Sequence, residues 1–165
     1  MTTFEKITDL LKMHQVVFDI IEHPAEGRSD AISKIRGNDL QQAAKAMVLQ
    51  VLNGSGQLQY VLCIVPGDSK VNFKGVARLM GGKKSSFAPP EMAQELTQCQ
   101  MGAVPPFSFN EALALRVDER LCRVGKLYFN AGELDKSISL SVDDYFRVVG
   151  RQCIGEIAVP VMVNE

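Results

Sequence analysis

Two apolar runs on either side of a short polar turn constrain this chain more than any other stretch. Ala46-Met47-Val48-Leu49-Gln50-Val51-Leu52 precedes Asn53-Gly54-Ser55-Gly56, and Leu58-Gln59-Tyr60-Val61-Leu62-Cys63-Ile64-Val65 follows. Such a pattern around an Asn/Gly turn predicts an antiparallel hairpin. Helices and strands alternate around it. Phe4, Ile7 and Leu11 have helical spacing, and Val16 to Ile21 is β-branched enough to be a strand. Ser29 to Gly37 predicts a short helix, with Ser29 as its N-cap and Gly37 as its stop. Further helices are expected over Val71–Met80, opening at Pro89-Pro90-Glu91 and running to about Thr97, and over Val142–Val148. Strands are expected over Leu113–Val117, Lys126–Asn130 and Ser137–Leu140, while Ile154–Val163 is either an edge strand or a partner contact. With no regular β-α-β repeat, an α+β fold is favoured over a doubly wound one.

A chain of 165 residues, 46% hydrophobic and 22% charged, suits a single domain over residues 1–165, with 150–165 read as a C-terminal extension. No apolar run approaches the roughly 18 residues of a membrane span, and the N-terminus lacks a signal-peptide layout. The expectation is a cytoplasmic protein with no membrane partner. Cys63, Cys99, Cys122 and Cys153 fit no zinc spacing, and His14 and His23 are the only histidines. No metal and no cofactor is expected. The net charge of −1 conceals a segment, Ser69 to Pro90, that carries Lys70, Lys74, Arg78, Lys83 and Lys84 and no acidic residue. On a helix Lys70, Lys74 and Arg78 form one stripe. It is either a solvated face or a surface that touches phosphates.

Three segments carry candidate chemistry, each with a plain structural alternative. Lys45 stands at the mouth of an apolar strand, where it either snorkels to solvent or, as a compact cation, binds a phosphate or an ester carbonyl. Gly102-Ala103-Val104-Pro105-Pro106-Phe107 is a rigid turn, whose glycine also lets a ligand approach backbone N–H groups that can stabilise an oxyanion. Phe129 to Ser137 is either a polar hairpin or a pocket rim presenting Asn130 and Ser137. Conventional groups are scarce: there is no G-x-S-x-G elbow and no P-loop. A Cys99–His23 dyad is conceivable, but no spacing supports it.

The order of Ala44-Lys45-Ala46, the Gly102–Phe107 loop and Asn130-Ala131-Gly132 resembles the YbaK/ProX family, the prolyl-tRNA-synthetase-associated aminoacyl-tRNA editing domains. Ile35-Arg36-Gly37, Val104 to Phe109 and Leu134 to Ser137 look most like its freestanding YeaK-like branch. The resemblance covers about residues 4 to 149. It departs at Ser108, where many relatives carry glycine, and in the tail from Gly150 onward. It implies a mixed, barrel-like β-sheet flanked by helices. It also implies a trans-editing deacylase that hydrolyses the ester of mischarged tRNA bearing a small amino acid such as alanine or serine. Lys45 and Gly102 would be the catalytic pair, acting by positioning and carbonyl polarisation without a protein nucleophile. Ala103, Val104 and Pro105, with Asn130, Gly132 and Ser137, would bind the substrate. The alternative is a non-catalytic module that holds an aminoacyl-adenosine or docks on a synthetase.

Overall fold

The computed structural model describes residues 1–161. In chain order it places α1 at Thr3–Met13, β1 at Phe18–Glu22, α2 at Ser29–Arg36, β2 at Ala44–Leu52 and β3 at Leu58–Pro66. There follow β4 (Ser69–Val71), α3 (Phe73–Leu79), β5 (Lys84–Phe87), α4 (Pro90–Thr97) and β6 (Leu113–Asp118). The remainder is β7 (Lys126–Glu133), β8 (Lys136–Ser141), α5 (Val142–Val149), β9 (Ile154–Gly155) and β10 (Ala158–Pro160). The sheets run β5-β2-β3-β6-β9, β1-β8-β7 and β10-β4. The first is mixed, since β3 pairs with β6 and β6 with β9 in parallel, as expected of an α+β fold.

The predicted hairpin is present, with Leu52 opposite Leu58 and Ala44 opposite Pro66. Its second strand is covered on both faces. Leu62 and Ile64 join the main core, while Val61, Cys63 and Val65 face a smaller core on the other side. Each such fully buried aliphatic side chain contributes about 1.5–3 kcal/mol. A strand apolar on both faces does not set its own register, because a one-residue slip exchanges one apolar set for another. The turn supplies that information. Asn53 Oδ1 accepts from the N–H groups of Ser55 and Gln57, and Gly56 takes the left-handed conformation at φ +84°.

The eight-residue α2 ends on Gly37 at φ +75°, as read from the sequence. Its cap differs, because Ser29 is the first helical residue and Arg28, at the cap, makes no side-chain capping bond. α3 is shorter than expected. Asn72 caps it by accepting from Gly75 N–H, and Val71 is drawn into β4 opposite Ala158. Lys70 therefore lies on a strand opposite Val159, and only Lys74 and Arg78 remain of the helical stripe. The last described segment adds β9 and β10 to two sheets, and Asp118 Oδ1 accepts from Ile157 and Ala158 N–H. Residues 162 and 163 of the expected edge segment lie outside the described residues.

The five- and three-stranded sheets meet at one bridge, Ala43 to Tyr128, which sets β7 beside the start of β2. On the same edge β5 pairs only with Leu49–Leu52. A gap in strand pairing is thus left along the first half of β2, between β5 and β7.

Candidate active site

Strand alternation decides what faces that gap. Ala88 N–H donates to Val48 C=O, so Val48 turns its backbone groups toward the β5 edge. Two residues earlier, Ala46 turns its own N–H and C=O the same way, beyond the last β5 pairing partner. The neighbouring Lys45 is half-buried, and its ammonium donates to Ser69 C=O at 2.7 Å. Burial pulls the Lys45 pKa below the usual 10.5, and the carboxylate of Asp68 opposes that shift. One of three ammonium donors is thus engaged, and the side chain lines two adjoining cavities.

The opposite wall is the Gly102–Phe107 loop, and it is pinned along its length. Phe107 is buried edge-on against Phe129 and Tyr145, at centroid distances of 5.7 and 5.3 Å. Tyr145 Oη donates to Pro106 C=O at 2.7 Å. Ala103 is fully buried; it donates to Gln100 C=O and accepts from Gly132 N–H. Gly102 C=O accepts from Asn130 Nδ2 at 2.8 Å. The N–H groups of Gly102 and Val104 donate to none of the described residues, and both residues line the two cavities. Gly102 has φ +89°, and a Cβ there would come within 2.7 Å of Gly27 Cα. Only glycine permits this approach of the loop to the Gly27 turn.

Behind the loop lies a closed polar network. Asn130 Nδ2 also donates to Glu26 C=O at 2.8 Å, and Asn130 Oδ1 accepts from Ser137 Oγ at 2.9 Å. Ser137 Oγ is further bonded to His23 Nε2 at 2.7 Å and accepts from Arg36 Nη1 at 3.1 Å. Asn130 therefore ties the Gly27 turn to the Gly102 loop with both of its amide hydrogens.

The smaller cavity, about 50 Å³, lies between Lys45, Gly102 and Asn130, with Ile32, Arg36 and Tyr128 also in its lining. The larger, about 740 Å³, opens past Met47, Phe87, Pro90, Ala93 and Thr97. Gly27, Ser29, Lys45, Ala46, Gly102 and Val104 line both. A third cavity, of about 110 Å³, lies toward α1 and α4 and touches neither Lys45 nor Gly102.

Of the residues singled out from the sequence, Lys45, Gly102, Val104 and Asn130 come together here. Ala103 and Ser137 are fully buried behind the wall, and Pro105 lines only the third cavity. Gly132, at φ +84°, packs against Thr3 instead. These four support the cavity from outside its lining. Gly27, Ser29, Ala46 and Arg36 were missed as lining residues. A glycine beside a charged loop and an arginine at a helix end carry no local signal of facing a cavity.

Cys99 lines the larger cavity, but its thiol donates to Thr3 Oγ1 at 3.6 Å and burial pushes its pKa up. His23 is bonded to Ser137 and to Pro24 C=O, so a Cys99–His23 dyad is not formed. Of the basic residues, Lys70 is exposed on β4, Lys74 and Arg78 on α3, Lys83 in the turn and Lys84 on β5. Phe87, at the end of β5, is 55% exposed at the rim of the larger cavity and meets Phe73 of α3 edge-on at 5.1 Å. No helix among the described residues is long and apolar enough to cross a membrane.

Comparison with known proteins adds independent information. An aminoacyl-tRNA editing domain model matches residues 23–148. A protein of Escherichia coli K12 named multifunctional Ser/Thr-tRNA deacylase ProXp-y is 41% identical over 163 residues, 98% of this chain and 92% of its own length. Its counterpart in Escherichia coli O157:H7 matches with the same figures. A solved structure of a proposed trans-editing enzyme for prolyl-tRNA synthetase superposes with a TM-score of 0.77 at 22% identity, covering 95% of this chain and 97% of that one. A crystal structure of a hypothetical protein superposes with a TM-score of 0.82 at 19% identity, over 93% and 99% of the two chains. At such identities these structures speak for the fold alone.

Proposed function

Because this chain belongs to the aminoacyl-tRNA editing domain family, we propose that it is a trans-editing deacylase, hydrolysing the ester between a small amino acid and the terminal ribose of tRNA. One observation supports this above the rest. A small cavity and a large one meet at Lys45, Ala46, Gly102 and Val104, so a ligand occupying both puts its junction at that wall. In an aminoacyl-adenosine the junction is the ester. About 10–15 Å³ of such space holds a water-sized group, so the 50 Å³ cavity takes roughly three to five non-hydrogen atoms. That suits a side chain the size of serine, threonine or alanine. Serine and threonine are the acyl groups in the name of the 41% identical relative.

The chemistry follows from the donors present. The ester carbonyl oxygen meets the N–H groups of Gly102 and Val104, which are held by a loop that needs no rearrangement. One such donor lowers the barrier by about 2.7–4 kcal/mol. Lys45, a partly desolvated cation, holds a substrate oxygen beside it. Water adds to the carbonyl carbon, the bond to the ribose oxygen breaks, and that oxygen leaves with a proton. The Cys99 thiol donates to Thr3 Oγ1 and burial pushes its pKa up, which disfavours it as a nucleophile, and this hydrolysis needs none. Phe87 at the outer rim offers a face for a terminal base, and the lysines and arginine of α3 and β5 offer cations for phosphates. The work belongs in the cytoplasm, where charged tRNA is used, with a synthetase as a further candidate partner.

A panel of tRNAs mischarged with alanine, serine, threonine and larger residues tests this reading. The expected result is rapid release of the small residues and slow release of the large ones. Tight binding of an aminoacyl-adenosine analogue with no release from any tRNA would instead establish the non-catalytic module.

A further inference from the structure

Ser29, Tyr128 and Arg36 line the small cavity without a part in editing chemistry at the wall, and of these three Arg36 alone carries a charge. Arg36 ends α2 and reaches the cavity with its guanidinium carbon 5.9 Å from the Tyr128 ring centre. Nε donates to Asn38 Oδ1 at 2.9 Å and Nη1 to Ser137 Oγ at 3.1 Å. Nη2 donates to none of the described residues. Yet no buried side-chain nitrogen or oxygen among them lacks a partner, so Nη2 retains open space. No carboxylate among the described residues lies within ion-pair distance of Arg36. The lining beside it is apolar at Ile32, Ala43, Ala44 and Phe129, and Asn130 has spent its amide inside the protein.

A mostly buried arginine with an open donor calls for an acceptor from the ligand. The acceptor must be small, because the cavity is only about 50 Å³ and has no room for a phosphate-bearing group. It must also be neutral or negative, which excludes the substrate's α-ammonium. Resting on the editing reading above, we infer that Arg36 recognises the side-chain hydroxyl of the bound aminoacyl group. It is thereby the residue that makes this cavity prefer serine and threonine over apolar side chains of equal size. An apolar side chain leaves Nη2 desolvated without an acceptor. Sites built to bond a hydroxyl reject analogues lacking it far more strongly than apolar pockets reject a missing methylene.

Serine and α-aminobutyrate differ only by a hydroxyl in place of a methyl group, so their ratio isolates the contact. The full chain is assayed for kcat/KM on tRNA carrying serine, alanine or α-aminobutyrate, as wild type and as Arg36→Met and Arg36→Lys. The wild type should favour serine over α-aminobutyrate by roughly 10- to 100-fold. Arg36→Met should bring that ratio near one; any loosening of the Gly102 loop through Ser137 and Asn130 slows all three substrates alike and leaves the ratio as the readout. Arg36→Lys keeps the cation and its stem but not the planar fork, and should give an intermediate ratio; it decides the matter if a melting curve shows Arg36→Met unfolded. An unchanged ratio in the folded variants, or no preference in the wild type, overturns the inference and leaves editing intact. No release of any residue by the wild type overturns the editing reading and takes this inference with it.

Discussion

The two cavities that meet at Lys45 differ in nearly every physical respect. The smaller is walled by side chains whose polar atoms are fixed by the Asn130–Ser137–Arg36 network, and it is too small for more than a short side chain. The larger is about 740 Å³ and mostly apolar, with the exposed ring of Phe87 at its rim. Rigid small space with a fixed donor discriminates; broad apolar space with stacking surface holds. Selection and attachment are therefore separated on either side of one wall, and the reacting bond lies between them.

That division can be broken at the wall itself. Gly102→Val adds a side chain where a single Cβ already comes within 2.7 Å of Gly27 Cα, at a backbone φ of +89°. The variant should displace the two loop N–H groups and lower the deacylation rate by about 100-fold or more. A melting curve separates this from unfolding, and a folded variant with normal rate would detach the loop from the chemistry. Phe87→Ala tests the outer side alone. It should raise KM roughly 5- to 150-fold, the worth of one stacked base, while leaving the serine-to-alanine preference unchanged. A change in preference would mean that the cavities do not act separately. The smallest effect is expected from Lys74→Glu with Arg78→Glu. Affinity for tRNA should fall and the salt dependence should flatten by about 0.9 per lost phosphate contact. An unchanged slope would place the tRNA body elsewhere.

The parts of this arrangement legible in the sequence are those with local causes. The hairpin follows from its turn residues, α2 stops at Gly37 because that position is left-handed, and α4 starts at Pro90 because a first-turn proline loses no bond. The Gly102–Phe107 loop stood out because two prolines and a glycine leave the backbone few choices. What stayed hidden depends on distant partners. β4 exists because Ala158–Pro160 returns to pair with it, and this removed Lys70 from the expected helical stripe. Ser137 reads as a rim donor, yet its register opposite Ile21 and Asn130 turns it fully inward, where it braces the loop through Asn130. Gly27 meets Gly102 across a chain separation that no local pattern records.

Lys45 is the residue on which the whole account turns, and the most direct test is single-turnover release of serine from mischarged tRNA by the wild type and by Lys45→Met. Release should slow about 10- to 100-fold in the variant at neutral pH, the worth of a charged hydrogen bond. Because burial disfavours the ammonium, the lysine gives up its proton below the usual 10.5. The wild type's advantage over spontaneous ester hydrolysis should therefore shrink as pH rises toward that lowered value. Equal rates for the two proteins at neutral pH would contradict the account.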